Sequence, residues 1–143
     1  RGSPPGWRMR ARRLPELDDD NRAFWTRGAQ GELAICRCQA CQHYIHPPSA
    51  ACPQCRGVDL RAEAVSGLGK VVSFTVNEQA WVAGQEVPFV LAVVELQEQP
   101  ELWVTCNIVG CPPHSVFIGQ AVRVRFEPQD EVWLPMFTPV EAP

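Results

Sequence analysis

Residues 38–55 read CQACQHYIHPPSAACPQC: Cys38-x2-Cys41, ten intervening residues, then Cys52-x2-Cys55. Each x2 turn presents two sulfurs to one point, and two such turns at this separation can bring four thiolates to a single tetrahedral ion. Pro53 inside the second turn and Pro47-Pro48 ahead of it suit tight, non-helical backbone. Two disulfides would need an oxidising compartment, and no secretory pattern is visible in the chain. A redox pair would need only one C-x2-C. The stretch therefore predicts a rubredoxin-like zinc ribbon with Zn2+ on Cys38, Cys41, Cys52 and Cys55. Four protein thiolates leave no open coordination position, so such an ion shapes the fold and does not activate water.

Working outward, Cys36, His43 and His46 are rival ligands by type. With four thiolates present they read as packing or surface residues. Leu33 and Ile35 alternate into a short strand that leads to the first knuckle. Before it, Asp18-Asp19-Asp20-Asn21 offers helix N-caps with negative charge at the favoured end. A short helix is expected through Arg22–Arg27, ended by Gly28 or Gly31. Phe24 and Trp25 are adjacent, so they cannot share one side of so short a helix; one packs on the ribbon and the other is a candidate partner contact.

After residue 65 the pattern changes to β. Ser66-Gly67-Leu68-Gly69 reads as a turn, and Lys70–Val76 is rich in β-branched residues. Phe89–Leu96 is a near-continuous apolar run, expected to be buried on both faces or close to it. Leu102–Val109 is a third strand, Ala121–Phe126 alternates with Val122, Val124 and Phe126 inward, and Leu134–Phe137 is the last. Five strands in roughly 70 residues, with no helical period of any length between them, predict a small barrel of the OB type. The expected class is mostly β. Residues 1–13 read as a tag or flexible tail, 14–32 as a helical segment, 33–64 as the ribbon and 65–143 as the OB-fold domain.

Charge bounds the function. Residues 1–13 hold five arginines and no acid, but Arg1-Gly2-Ser3 reads as an added tag with Met9 as the natural start. Residues 65–143 hold only Lys70, Arg123 and Arg125 against nine acids. A strand-tracking nucleic-acid groove needs positive potential and stacking aromatics, so a nucleic-acid-binding ribbon and barrel is the disfavoured alternative. No apolar run approaches the roughly 18 residues of a membrane span, and the odd cysteine count fits a reducing cytoplasm. Cys111 and His114 are three residues apart, yet nothing is placed to orient the histidine as a base, so Cys111 reads as a turn cysteine. Arg37 and Arg56 flank the knuckles and join Lys70, Arg123 and Arg125 as candidate contacts to a phosphate cluster such as that of CoA, or to an acidic partner. Trp81, in the segment Asn77–Pro88, is a candidate interface anchor.

The order of motifs is itself informative: the Phe24-Trp25 helix, Gly31-Glu32-Leu33, the four-cysteine ribbon with Pro-Pro before its second knuckle, Ser66-Gly67-x-Gly69, Val72–Val76, Asn107-x-Val109-Gly110-Cys111, Ile118-Gly119-x-x-Val122-x-Val124-x-Phe126 and Leu134-Pro135-x-Phe137. From about Leu14 to Pro139 this resembles the zinc-ribbon plus OB-fold family catalogued as domain of unknown function 35 and associated with acyl-CoA metabolism. The resemblance implies a non-catalytic accessory subunit. Such proteins assemble with thiolase-fold enzymes: thiolases, hydroxymethylglutaryl-CoA synthases, acyltransferases or steroid side-chain aldolases. They hold the complex together and help to form a CoA or acyl channel, while the reactive groups belong to the partner. Ser49 stands where the family often carries a basic residue, which lowers the expectation of direct CoA contact relative to partner binding.

Overall fold

The computed structural model describes residues 14–80 and 86–140. The acidic run acts as a side-chain-closed turn. The Asp18 carboxylate accepts from the amides of Asp20 and Asn21 at 2.9 and 2.8 Å, and the Asn21 side-chain oxygen accepts the Asp18 amide at 2.9 Å. This turn launches α1 (Arg22–Thr26), which tightens into a 3-10 turn over Arg27–Gln30. Gly31 ends it in the left-handed region at φ 78°, where a side chain would be strained. Phe24 is buried and Trp25 half-buried; their rings meet edge to face at 4.8 Å.

The ribbon sheet has the order β2-β1-β3, formed by β1 (Leu33–Cys38), β2 (Tyr44–Ile45) and β3 (Leu60–Val65), all antiparallel. The barrel follows. Its strands are β4 (Leu68–Asn77), β5 (Phe89–Leu96), β6 (Trp103–Ile108), β7 (Ala121–Gln129) and β8 (Val132–Pro139), closed in the order β4-β5-β6-β8-β7. The β6–β8 pair is parallel, through Ile108 and Phe137; the others are antiparallel. β4 closes the barrel by pairing with β7 through Leu68–Lys70 and with β5 from Gly69 onward, and it bends at an irregularity between Val71 and Ser73. Gly69 sits where both neighbours converge, and a Cβ there would collide with the Glu95 carbonyl.

The mostly-β class with an N-terminal helix, ribbon and closed five-stranded barrel holds as expected. One strand does not. β5 is buried on a single face: Val90, Ala92, Val94 and Leu96 point inward, while Leu91 is 43% exposed. A closed barrel this small has one interior, so an apolar run can fill it with every second residue only. On the same outer face, Trp103 of β6, paired with Glu95, is 50% exposed.

One core serves both parts. Phe24 from α1 and Leu33 and Ile35 from β1 pack with Val71, Val94, Val122 and Phe137 from the barrel. Cys38, Ile45 and Cys52 form a separate small cluster with Cys36 and Leu60 around the knuckles. A third cluster lies on β8, where Leu14, Leu17 and Trp25 cover Val132, Leu134 and Met136. No helix among the described residues is long and apolar enough to cross a membrane.

Candidate metal centre

The two knuckles are built alike. The Cys38 amide donates to the His43 carbonyl and the Gln42 amide to the Cys38 carbonyl, both at 2.9 Å. In the second knuckle the Cys52 amide donates to Gly57 at 2.9 Å and the Arg56 amide to Cys52 at 2.8 Å. Gln42 and Arg56, each just after the second cysteine, both take positive φ, at 70° and 66°. Nothing in the sequence marks either as a left-handed residue; the knuckle's own hydrogen bonds impose it.

The four sulfurs all lie within 4.8 Å of one another, with Cys38–Cys55 and Cys41–Cys52 each at 3.6 Å. A disulfide would hold them roughly 2.05 Å apart. A tetrahedral ion with roughly 2.3 Å zinc–sulfur bonds spaces them close to the separations seen. Amides aim at the sulfurs as well, from Gln54 to Cys52 and from Gly57 to Cys55, each at 3.4 Å. Cys38 and Cys52 are buried, while Cys41 and Cys55 face solvent.

The thiols of the cluster shift in opposite directions. The Cys41 amide draws the Cys38 thiol down to about 7 against the effect of burial. At Cys52 burial raises the thiol, but the amides of Cys55 and Gln54 outweigh it and the net shift is downward. At Cys41 the His43 amide pulls downward, but desolvation of its sulfur within the cluster and the neighbouring sulfurs of Cys52, Cys55 and Cys38 outweigh it and push the thiol up to about 12. Four thiolates repel one another unless a cation stands among them. The donor set fits a structural Zn2+, which closes both knuckles on one ion.

The rival ligands stand aside. His46 stacks on the Phe24 ring at 4.7 Å, and burial lowers its pKa to about 4. Neither histidine nor Cys36 joins the sulfur cluster; burial, then the Asp20 carboxylate, raises the Cys36 thiol. Cys106 faces the barrel core, where burial pushes its thiol up to about 12. His114 pairs with Glu78 at 3.1 Å. Among the described residues, the four cysteines are the one group of three or more such donors within reach of a single ion.

The candidate cations separate into engaged and available. Arg37 is engaged: its guanidinium lies 4.4 Å over the Tyr44 ring, donates to the Gln42 carbonyl at 2.9 Å and pairs with Glu63 at 3.3 Å. Lys70 makes a loose 3.8 Å pair with Glu95 at the rim of a groove of about 530 Å³. Leu68, also lining that groove, is the strand neighbour of exposed Arg123. Arg125 and Arg56 are exposed on β7 and on the second knuckle. Phe24 belongs to the core, so Trp25 keeps most of the accessible surface of that pair. Trp81 lies outside the described residues. Sequence reasoning did not single out Glu63, Glu98 or Gln99, whose partners are remote in the chain.

The match to known proteins runs along both parts. The ChsH2 rubredoxin-like zinc ribbon domain matches residues 25–61, and the ChsH2 C-terminal OB-fold domain matches residues 62–127. A probable enoyl-CoA hydratase alpha subunit of Thermomonospora curvata is 38% identical over 127 residues, which cover 87% of this chain and 39% of that protein. The chain therefore spans well under half of that relative. A DUF35 domain-containing scaffold protein of Methanothermobacter thermautotrophicus is 34% identical over 92 residues, covering 63% of this chain and 68% of that one. A solved structure described as an Ltp2-ChsH2(DUF35) aldolase aligns with TM-score 0.77 and 36% identity, over 88% of this chain and 98% of that one. Ribbon, barrel and their order along the chain all coincide, and the chain belongs to the DUF35 family of zinc-ribbon and OB-fold proteins.

Proposed function

We propose that this chain is an accessory and assembly subunit of an acyl-CoA or acyl-transfer complex built on a thiolase-fold enzyme, and that it supplies no catalytic group itself. The observation that carries this reading is its likeness, across 98% of the solved chain, to the DUF35 part of a protein described as an Ltp2-ChsH2 aldolase. The description of the Methanothermobacter relative as a scaffold protein is in keeping with it. So is the chemistry. Cys38, Cys41, Cys52 and Cys55 would hold a zinc ion with no free position, and such an ion contributes folding energy and not a reactive water.

Contact with CoA is the finer part of the proposal. Lys70 and Arg123 stand at or beside the groove on β4 and β7, and two or three cations are enough for the clustered phosphates of a nucleotide end. Arg37 is a weak candidate, because its guanidinium is already occupied within the ribbon. Trp25 and the outer strand faces bearing Leu91 and Trp103 offer apolar surface to an enzyme subunit.

The test is recovery of the tagged chain from its host, with and without nuclease, followed by mass spectrometry. A stoichiometric thiolase-fold subunit that survives nuclease is the expected result. Proteins bridged by RNA, lost on nuclease treatment, would overturn it. A second reading, favoured by the Thermomonospora relative, is a module of an enoyl-CoA hydratase subunit. Stoichiometric recovery of a hydratase without a thiolase-fold protein would favour that reading.

A further inference from the structure

The barrel turn between β5 and β6 grips the ribbon at β2 and also holds the junction that follows β3. The Gln99 side-chain oxygen accepts the Tyr44 amide at 2.8 Å, and its nitrogen donates to the Tyr44 carbonyl at 3.0 Å. One carboxamide thus satisfies both backbone groups of a β2 residue 55 positions away in the chain. Beside it, the Glu98 carboxylate accepts the Ser66 amide at 2.7 Å, where the chain leaves β3 for the barrel. The turn is itself held. The Glu101 amide donates to the Glu95 carboxylate at 2.8 Å, and the Gln97 amide to the Leu68 carbonyl at 3.0 Å.

On the ribbon side a continuous set of contacts joins Tyr44 to the first knuckle. Arg37 lies over the Tyr44 ring and pairs with Glu63; Gln39 donates to the same carboxylate at 2.9 Å. Arg37 and Gln39 flank Cys38 in the chain. The knuckles pack in their own small cluster, apart from the core that β1 and α1 share with the barrel. One hydrogen-bonded route from the knuckles into the barrel runs through β2 and Gln99, beside the β1–β3 ladder that ends next to Ser66.

We propose that the β5–β6 turn is a lock, and that Gln99 couples the metal state of the ribbon to the stability of the barrel. Two states exist for the ribbon, because metal binding and folding are one event in modules of this kind. An ordered β2 offers the Tyr44 backbone pair to Gln99. A disordered one withdraws it and frees the turn that leads directly into β6 at Trp103. Such coupling is reciprocal, so loss of Gln99 also weakens zinc retention. The inference does not depend on which enzyme the chain assembles with.

The experiment is thermal unfolding of the whole chain, zinc-loaded and chelated, as wild type, Gln99→Ala and Gln99→Met. The methionine keeps the length and apolar stem without either hydrogen bond, and carries the test if the alanine variant fails to fold. Cobalt(II) absorption confirms that the four-thiolate site still forms, and competition with a chromophoric chelator reads metal affinity. In wild type, metal removal should lower the barrel Tm. In the variants that metal-dependent drop should shrink by about half or more, with weaker metal retention and an unchanged cobalt spectrum. An equal drop in wild type and variants, or a wild-type barrel indifferent to metal, would overturn the proposal.

Discussion

His46 shows how burial changes the chemistry a residue type advertises. Its position between the knuckles suggests a ligand, but the ring lies against Phe24 and desolvation holds its pKa at about 4 in place of an ordinary 6.5. The unfolded chain therefore takes up a proton that the folded chain refuses. Stability should fall as pH drops from about 6.5 toward about 4, by at most roughly 1.4 kcal/mol per pH unit from this one group. Denaturant midpoints of wild type and His46→Phe across that range check the sign, and the variant should lose this part of the slope. Glu63 has the opposite character: hydrogen bonds from Gln39, then Arg37, lower its pKa, so its stabilising effect is present above the ordinary carboxylate range and fades on acidification. Among the ligands, Cys38→Ser places a hydroxyl in a fully buried position and removes one of four donors. Zinc should no longer be retained stoichiometrically after dialysis, as metal analysis of the purified variant would report.

At the scale of elements, the knuckles are legible because they are local: ligand spacing, Pro53 and the short loop all act within a few residues. β5 departs from its sequence expectation on its outer face. Its unbroken apolar run looks two-sided, but barrel closure gives it one interior face and leaves Leu91 outside. This exposed face makes a separable expectation. Leu91→Ser and Trp103→Ala should each cost about 1–3 kcal/mol of stability without unfolding the barrel, since both side chains are about half exposed. If the outer sheet face meets the enzyme subunit, the same variants should bind it more weakly, which calorimetry or co-purification would measure. Gly69 is the reverse case. Gly69→Ala drives a methyl into the β5 backbone where β4 closes the barrel, and should cost about 1–3 kcal/mol in urea unfolding.

For the whole molecule, ribbon and barrel share a core through Phe24, Leu33 and Ile35, so loss of metal should not stay confined to the knuckles. Chelation is expected to disorder the ribbon and abolish capture of the proposed thiolase-fold partner, with capture restored by added zinc; a chelated chain that assembles normally would separate metal from assembly. By itself the sequence determined the four-cysteine site, the strand-rich barrel and the acidic character of residues 65–143, because spacing, alternation and charge are written within short windows. The tertiary structure alone decided that Phe24 lies in the core, that Arg37 is held by Glu63 26 residues away, and that Gln99 clasps Tyr44 across 55 residues. Those pairings carry no local pattern: any glutamine or glutamate on a turn looks solvated until the fold sets a specific backbone group opposite it, and only the closed barrel fixes which one that is.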